Sequence, residues 1–183
     1  MDYPYSLDDY VNDLLAYLKD KGIKKPHVIA HSFGARVALK ACYSHPEAFD
    51  RLVLTGAAGL KPKPSFYKVL KKLGYKLLKP LLTHNARLKF YSSDYRALDG
   101  VMRQSFQKIV AEHLDYVLPA IKNQTLIVFG AQDKETPLYM AERLYKGISN
   151  SEKVIINDAG HFCFIDKPFT FNMEVREFLL SKK

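Results

Sequence analysis

Apolar positions along the chain follow two alternating rhythms. From Ser6 to Lys21, SLDDYVNDLLAYLKDK, Leu7, Tyr10, Val11, Leu14, Leu15 and Leu18 stand three and four places apart. That spacing winds them onto one stripe of an α-helix, with Ser6 placed to cap its first turn. After the breakers Gly22 and Pro26, the short run HVIAH reads as a strand buried on both faces. Helical spacing returns from Phe33 to Tyr43 and stops near His45-Pro46, because a residue before proline resists helical geometry. RLVLTGA, QTLIVFGAQD and EKVIIND read as three more strands. TPLYMAERLYKGI reads as a helix with Thr136 as cap and Pro137 in its first position, and a last helix runs from about Phe169 to Leu180. Strands alternating with helices predict an α/β fold: a mostly parallel sheet with helices on both faces.

Lys61 to Asn123 breaks this rhythm. It is long and helical in pattern, with FYKVLKKLGYKLLKPLL and GVMRQSFQKIVAEHLDYVL as its clear segments. Residues 1–60 and 124–183 are therefore expected to form the core, and 61–123 a helical insertion. The insertion also accounts for the charge. The chain has a net charge of +9, and the insertion alone carries 13 Lys and Arg against 4 Asp and Glu, so the remainder is neutral. It holds neither an aromatic RNA-stacking signature nor a base-reading motif, so a solvated helical face is expected and nucleic acid is not.

At 183 residues, 48% of them hydrophobic, the chain can bury a core. No apolar run approaches the roughly 18 residues a membrane span needs, and MDYPYSLDDY lacks the basic start of a signal peptide. Cys42 and Cys163 have neither metal-ligand spacing nor a disulfide framework. These features predict a cytoplasmic protein with no cofactor and no metal.

The chemistry gathers at the ends of the expected strands. HVIAHSFGAR places Ser32 between a strand and a helix, with Ala30 and Gly34 as small neighbours two places either side. Two readings stand open: a plain N-cap serine, or a nucleophile elbow whose sharp turn thrusts the hydroxyl outward. A serine needs a base, and the base an orienting carboxylate. Strands of a parallel sheet end along one edge, so residues beyond those ends converge. Asp133 follows the third strand in FGAQD, and His161 follows the fourth in NDAGHF, where Gly160 is expected to let the loop pass close to the serine. Asp158 and Asp166 are rival acids. His31 is expected to point away from the site, as a packing or hydrogen-bonding residue. His27, His45, His84 and His113 have no evident partner.

Through HVIAHSFGARVAL, LIVFGAQDKETP and VIINDAGHFCFIDKP, the sequence resembles the α/β-hydrolase superfamily over nearly its whole length. The resemblance implies Ser32 as nucleophile, Asp133 as orienting acid, His161 as general base, and the insertion as a helical cap. The aromatic residues Phe66, Tyr67, Tyr75, Phe90, Tyr91 and Phe106 hint at an apolar pocket for a small-molecule acyl substrate. Members of that superfamily begin with several further strands, and one of their loops supplies a second backbone donor to the oxyanion hole. Here only the Phe33 N–H is assigned to the oxyanion. The missing strands also leave the edge of HVIAH open: either the chain is a truncated product or it forms a homodimer along that edge. Three functions follow as expectations: a serine hydrolase of esters, amides or related acyl bonds, a carbon–carbon hydrolase with the same triad, or a catalytically impaired remnant serving as a binding module.

Overall fold

A computed structural model describes residues 3–63, 98 and 100–181. The segment FYKVLKKLGYKLLKPLL, His84 and five of the six insertion aromatics lie outside the described residues. The elements are α1 (Leu7–Asp20), β1 (Val28–His31), α2 (Phe33–Ser44), β2 (Leu52–Thr55), α3 (Gly100–Ala111), a 3-10 turn (Asp115–Ala120), β3 (Thr125–Gly130), α4 (Leu138–Gly147), β4 (Ser151–Ile156), α5 (Cys163–Asp166) and α6 (Pro168–Leu180).

The chain forms two compact units. One comprises Met1–Tyr5 with Lys61–Ala111, the other Ser6–Leu60 with Glu112–Lys183. In the first, the Tyr5 N–H donates to Ser105 Oγ at 2.9 Å, and Lys108 Nζ donates to the Pro4 carbonyl at 2.9 Å. Pro4 and Tyr5 are thereby tied to α3.

The second unit holds the sheet. Its four described strands lie in the order β1-β2-β3-β4 and are all parallel. Each strand pairs with the next in sequence because an intervening segment carries the chain back to the same end. Strands β2 and β3 are buried at every position, as their continuous apolar runs require. Residues of alternate parity on these strands face opposite sides. Val53, Leu126 and Val128 pack with Phe171, Val175 and Phe178 of α6, while Leu52, Leu54, Ile127 and Phe129 are fully buried as well. Each such side chain contributes about 1.5–3 kcal/mol by leaving water.

Strand β1 departs from the expectation of burial on both faces. It pairs only with β2 among the described strands, and Ile29 is 54% exposed. Its apolar run fits a covered strand, but coverage depends on neighbours that a local pattern does not reveal.

Helix α1 starts as predicted. Ser6 accepts a hydrogen bond from the Asp9 N–H, and Asp9 Oδ2 accepts one from the Ser6 N–H, which closes a capping box. Helix α4 starts differently: Pro137 holds the N-cap position, and Thr136 does not cap it. The Thr136 hydroxyl is used elsewhere, in the site.

Candidate active site

Only one residue separates β1 from α2, and that residue is Ser32. The strand must turn into the helix within a single step, so Ser32 adopts φ 49° and ψ −108°. For a side chain with a Cβ, such a conformation costs on the order of 1–3 kcal/mol and persists only where the surroundings enforce it. Here the Ser32 N–H donates to the Thr55 carbonyl at 3.1 Å, and the Ser32 carbonyl accepts from the Ala58 N–H at 3.2 Å. The side chain makes no cap hydrogen bond, so Ser32 occupies an N-cap position without acting as one. Gly34 is not required by crowding: a Cβ there would meet no described atom within 4 Å.

Asp133 lies three residues beyond the end of β3, and its side chain is fully buried. A buried carboxylate needs its lone pairs filled. Oδ1 accepts from the N–H groups of Glu135 at 2.9 Å and Thr136 at 2.8 Å; Oδ2 accepts from the Thr136 hydroxyl at 2.7 Å and meets His161 Nδ1 at 2.9 Å. Burial alone raises its pKa, but the hydrogen bonds from Thr136 and His161 outweigh burial and hold it below the ordinary carboxylate value. Of the rival acids, Asp158 is exposed and lies 3.9 Å from Lys167, and Asp166 Oδ2 accepts from the Gly160 N–H at 2.7 Å. Neither engages His161.

His161 reaches Asp133 because two glycines clear its path. A Cβ on Gly130 would stand 2.2 Å from the Gly160 carbonyl oxygen, and one on Gly56, at φ +49°, would stand 3.0 Å from His161 Nδ1. Gly160 carries no such crowding: a Cβ there would meet only Asp166, at an ordinary 3.5 Å.

His31 corrects a further expectation. Its ring does not point away but lies 4.6 Å from that of His161 and 5.0 Å from that of Phe164, with Nδ1 3.2 Å from the Thr55 carbonyl. Ser32 lies outside β1, so alternation along the strand does not fix its side relative to His31. Burial and the neighbouring His161 charge lower the His31 pKa, against the pull of the Thr55 carbonyl. The Thr55 carbonyl can only accept, so His31 Nδ1 donates to it. Of the other histidines, His27 lies 3.3 Å from Asp50 at the surface, and His45 Nδ1 lies 3.1 Å from Ser44 Oγ.

Asp133 and His161 are therefore joined, while Ser32 Oγ makes no hydrogen bond among the described residues. His161 Nε2, the nitrogen a serine would address, lies 3.5 Å from Glu135 Oε2. Glu135 is the functional neighbour that sequence reasoning missed. The backbone N–H of Phe33, first residue of α2, lies in the helical turn whose donors have no intrahelical acceptor. Among the described residues no three His, Cys, Asp or Glu side chains are grouped to hold a metal.

Known proteins agree with this architecture. The "Putative carbamate hydrolase RutD" of Caulobacter segnis is 23% identical across 96% of this chain and 73% of its own length. A 2-hydroxymuconate semialdehyde hydrolase of Pseudomonas putida is 26% identical across 97% of this chain and 70% of its own. Among solved structures, a meta-cleavage product hydrolase from Pseudomonas fluorescens, complexed with acetates, superposes with a TM-score of 0.71 at 26% identity, covering 97% of this chain and 73% of that one. The profile of the Alpha/beta hydrolase family matches residues 1–173, and with the parallel sheet in place the chain belongs to that family.

Proposed function

We propose that this protein is a serine hydrolase that cleaves an acyl bond, with Ser32 as nucleophile, His161 as general base, Asp133 as its orienting acid and the Phe33 N–H as oxyanion donor. The observation that carries the proposal is the 2.9 Å contact between a wholly buried Asp133 carboxylate and His161 Nδ1. A carboxylate so held fixes the imidazole tautomer with its proton on Nδ1 and its lone pair on Nε2. In the reaction Nε2 takes the Ser32 hydroxyl proton as Oγ bonds to the acyl carbon. The developing oxyanion meets the Phe33 N–H, and His161 returns the proton to the leaving group. Water then repeats the sequence to free the acid and Ser32.

The test is labelling by a fluorophosphonate probe together with turnover of p-nitrophenyl acetate. Ser32 is expected to be the labelled residue and Ser32→Ala to remove both signals. Turnover by Ser32→Ala equal to that of the parent sinks the proposal. A second reading, hydrolysis of a carbon–carbon bond by the same triad, is favoured by the likeness to the 2-hydroxymuconate semialdehyde hydrolase. It predicts turnover of 2-hydroxymuconate semialdehyde with little activity on simple esters.

A further inference from the structure

Glu135 is not accounted for by the triad, yet it is the second carboxylate to touch His161. Its Oε2 lies 3.5 Å from His161 Nε2, on the side opposite the Asp133 contact. The two acids differ in setting: the Asp133 side chain is 0% exposed, that of His161 7%, and that of Glu135 68%. Asp133 therefore acts from beneath the imidazole, while the Glu135 charge faces the solvent from which a ligand must come. Its placement is not that of a loose surface side chain on a wandering loop. The Glu135 N–H donates to Asp133 Oδ1 at 2.9 Å, and the next residue, Thr136, donates to both Asp133 oxygens. The carboxylate that orients His161 thus also fixes the backbone from which Glu135 projects.

We infer that Glu135 is a specificity-determining residue, whose carboxylate selects acyl substrates that are neutral or cationic near the scissile bond over those that carry a carboxylate there. The inference rests on the hydrolase reading for its substrate, but the charge placement can be measured without it. A ligand carboxylate entering within about 5 Å of Glu135 meets a like charge in a solvent-facing site, where repulsion changes relative rates about three- to tenfold at low salt. A neutral acyl chain meets no such opposition, and a cationic group meets an attraction of similar size.

Two measurements test this. The first compares kcat/KM for p-nitrophenyl butyrate and p-nitrophenyl hemisuccinate. Glu135→Gln is expected to raise the anionic-to-neutral ratio about three- to tenfold at low salt, with the gain shrinking as salt is added. The second compares alkylation of His161 by bromoacetate and bromoacetamide, mapped by peptide mass spectrometry, and needs no serine chemistry. The bromoacetate-to-bromoacetamide ratio is expected to rise by a similar factor in Glu135→Gln. An alkylation ratio unmoved by the substitution overturns the proposal, as does an ester ratio unmoved in an active enzyme. If no ester is turned over while the alkylation ratio shifts, the acyl-ester reading fails and the Glu135 charge filter at His161 stands.

Discussion

Gly130 and Gly160 lie so close that a Cβ on the first would stand 2.2 Å from the carbonyl oxygen of the second. Gly130 ends β3, and Gly160 directly precedes His161. Their contact is thus the point where the end of the strand leading to Asp133 meets the loop carrying His161. The Gln132 N–H donates to the Ala159 carbonyl at 2.9 Å and the Ala131 N–H to the Ile156 carbonyl at 2.8 Å, which ties the same two loops together.

Gly130→Ala should therefore strike stability and activity together. Relieving an overlap with backbone atoms requires the His161 loop to move, at a cost of about 1–3 kcal/mol or more. Urea titration should show a lower midpoint at unchanged slope. Turnover of p-nitrophenyl acetate at temperatures where the variant remains folded should fall further than the loss of folded protein explains. Unchanged turnover in the folded variant would show that the loop position is not critical.

Asp133→Asn should preserve the fold while disrupting the base. The amide cannot accept from all four surrounding donors, so about 1–3 kcal/mol of stability is expected to be lost, and turnover should drop by about 10⁴-fold through the wrong imidazole tautomer. The pH dependence gives an independent check. The folded carboxyl titrates below the unfolded value of about 3.9, so its stabilisation is complete above that value and is lost as pH falls through the lower folded value. Urea midpoints of the parent should therefore decline more steeply below about pH 4 than those of Asp133→Asn.

His31 governs a different pH window. Its folded pKa is lowered, chiefly by burial, so the neutral ring stabilises the fold in full above the unfolded value of about 6.5, and that contribution is lost as pH falls toward the folded value. His31→Phe keeps an aromatic ring against His161 and Phe164 but removes the titration. The variant should show a shallower loss of thermal stability between about pH 6.5 and pH 5 than the parent. Equal slopes would assign that loss to other groups.

The hydrophobic rhythm of the sequence located the four described strands and the helices at Leu7–Asp20, Phe33–Ser44, Leu138–Gly147 and Pro168–Leu180, since each reflects periodicity within a few residues. But it read GVMRQSFQKIVAEHLDYVL as one helical segment where the helix ends at Ala111 and a 3-10 turn follows, and it did not show the short helix Cys163–Asp166. It also identified Ser6 as a cap, Ser32 as the residue between strand and helix, and Asp133 and His161 as loop residues beyond strand ends. Tertiary structure decided everything that depends on approach between distant segments. It made β1 a partly exposed strand, turned His31 toward His161, gave the Thr136 hydroxyl to Asp133 rather than to a helix end, and set Glu135 against Nε2. It also set the crowding that leaves no room for a Cβ at Gly130 and Gly56. Periodicity records which face of an element is apolar, whereas contact distances are fixed only when separate loops cross in space, and there single atoms decide.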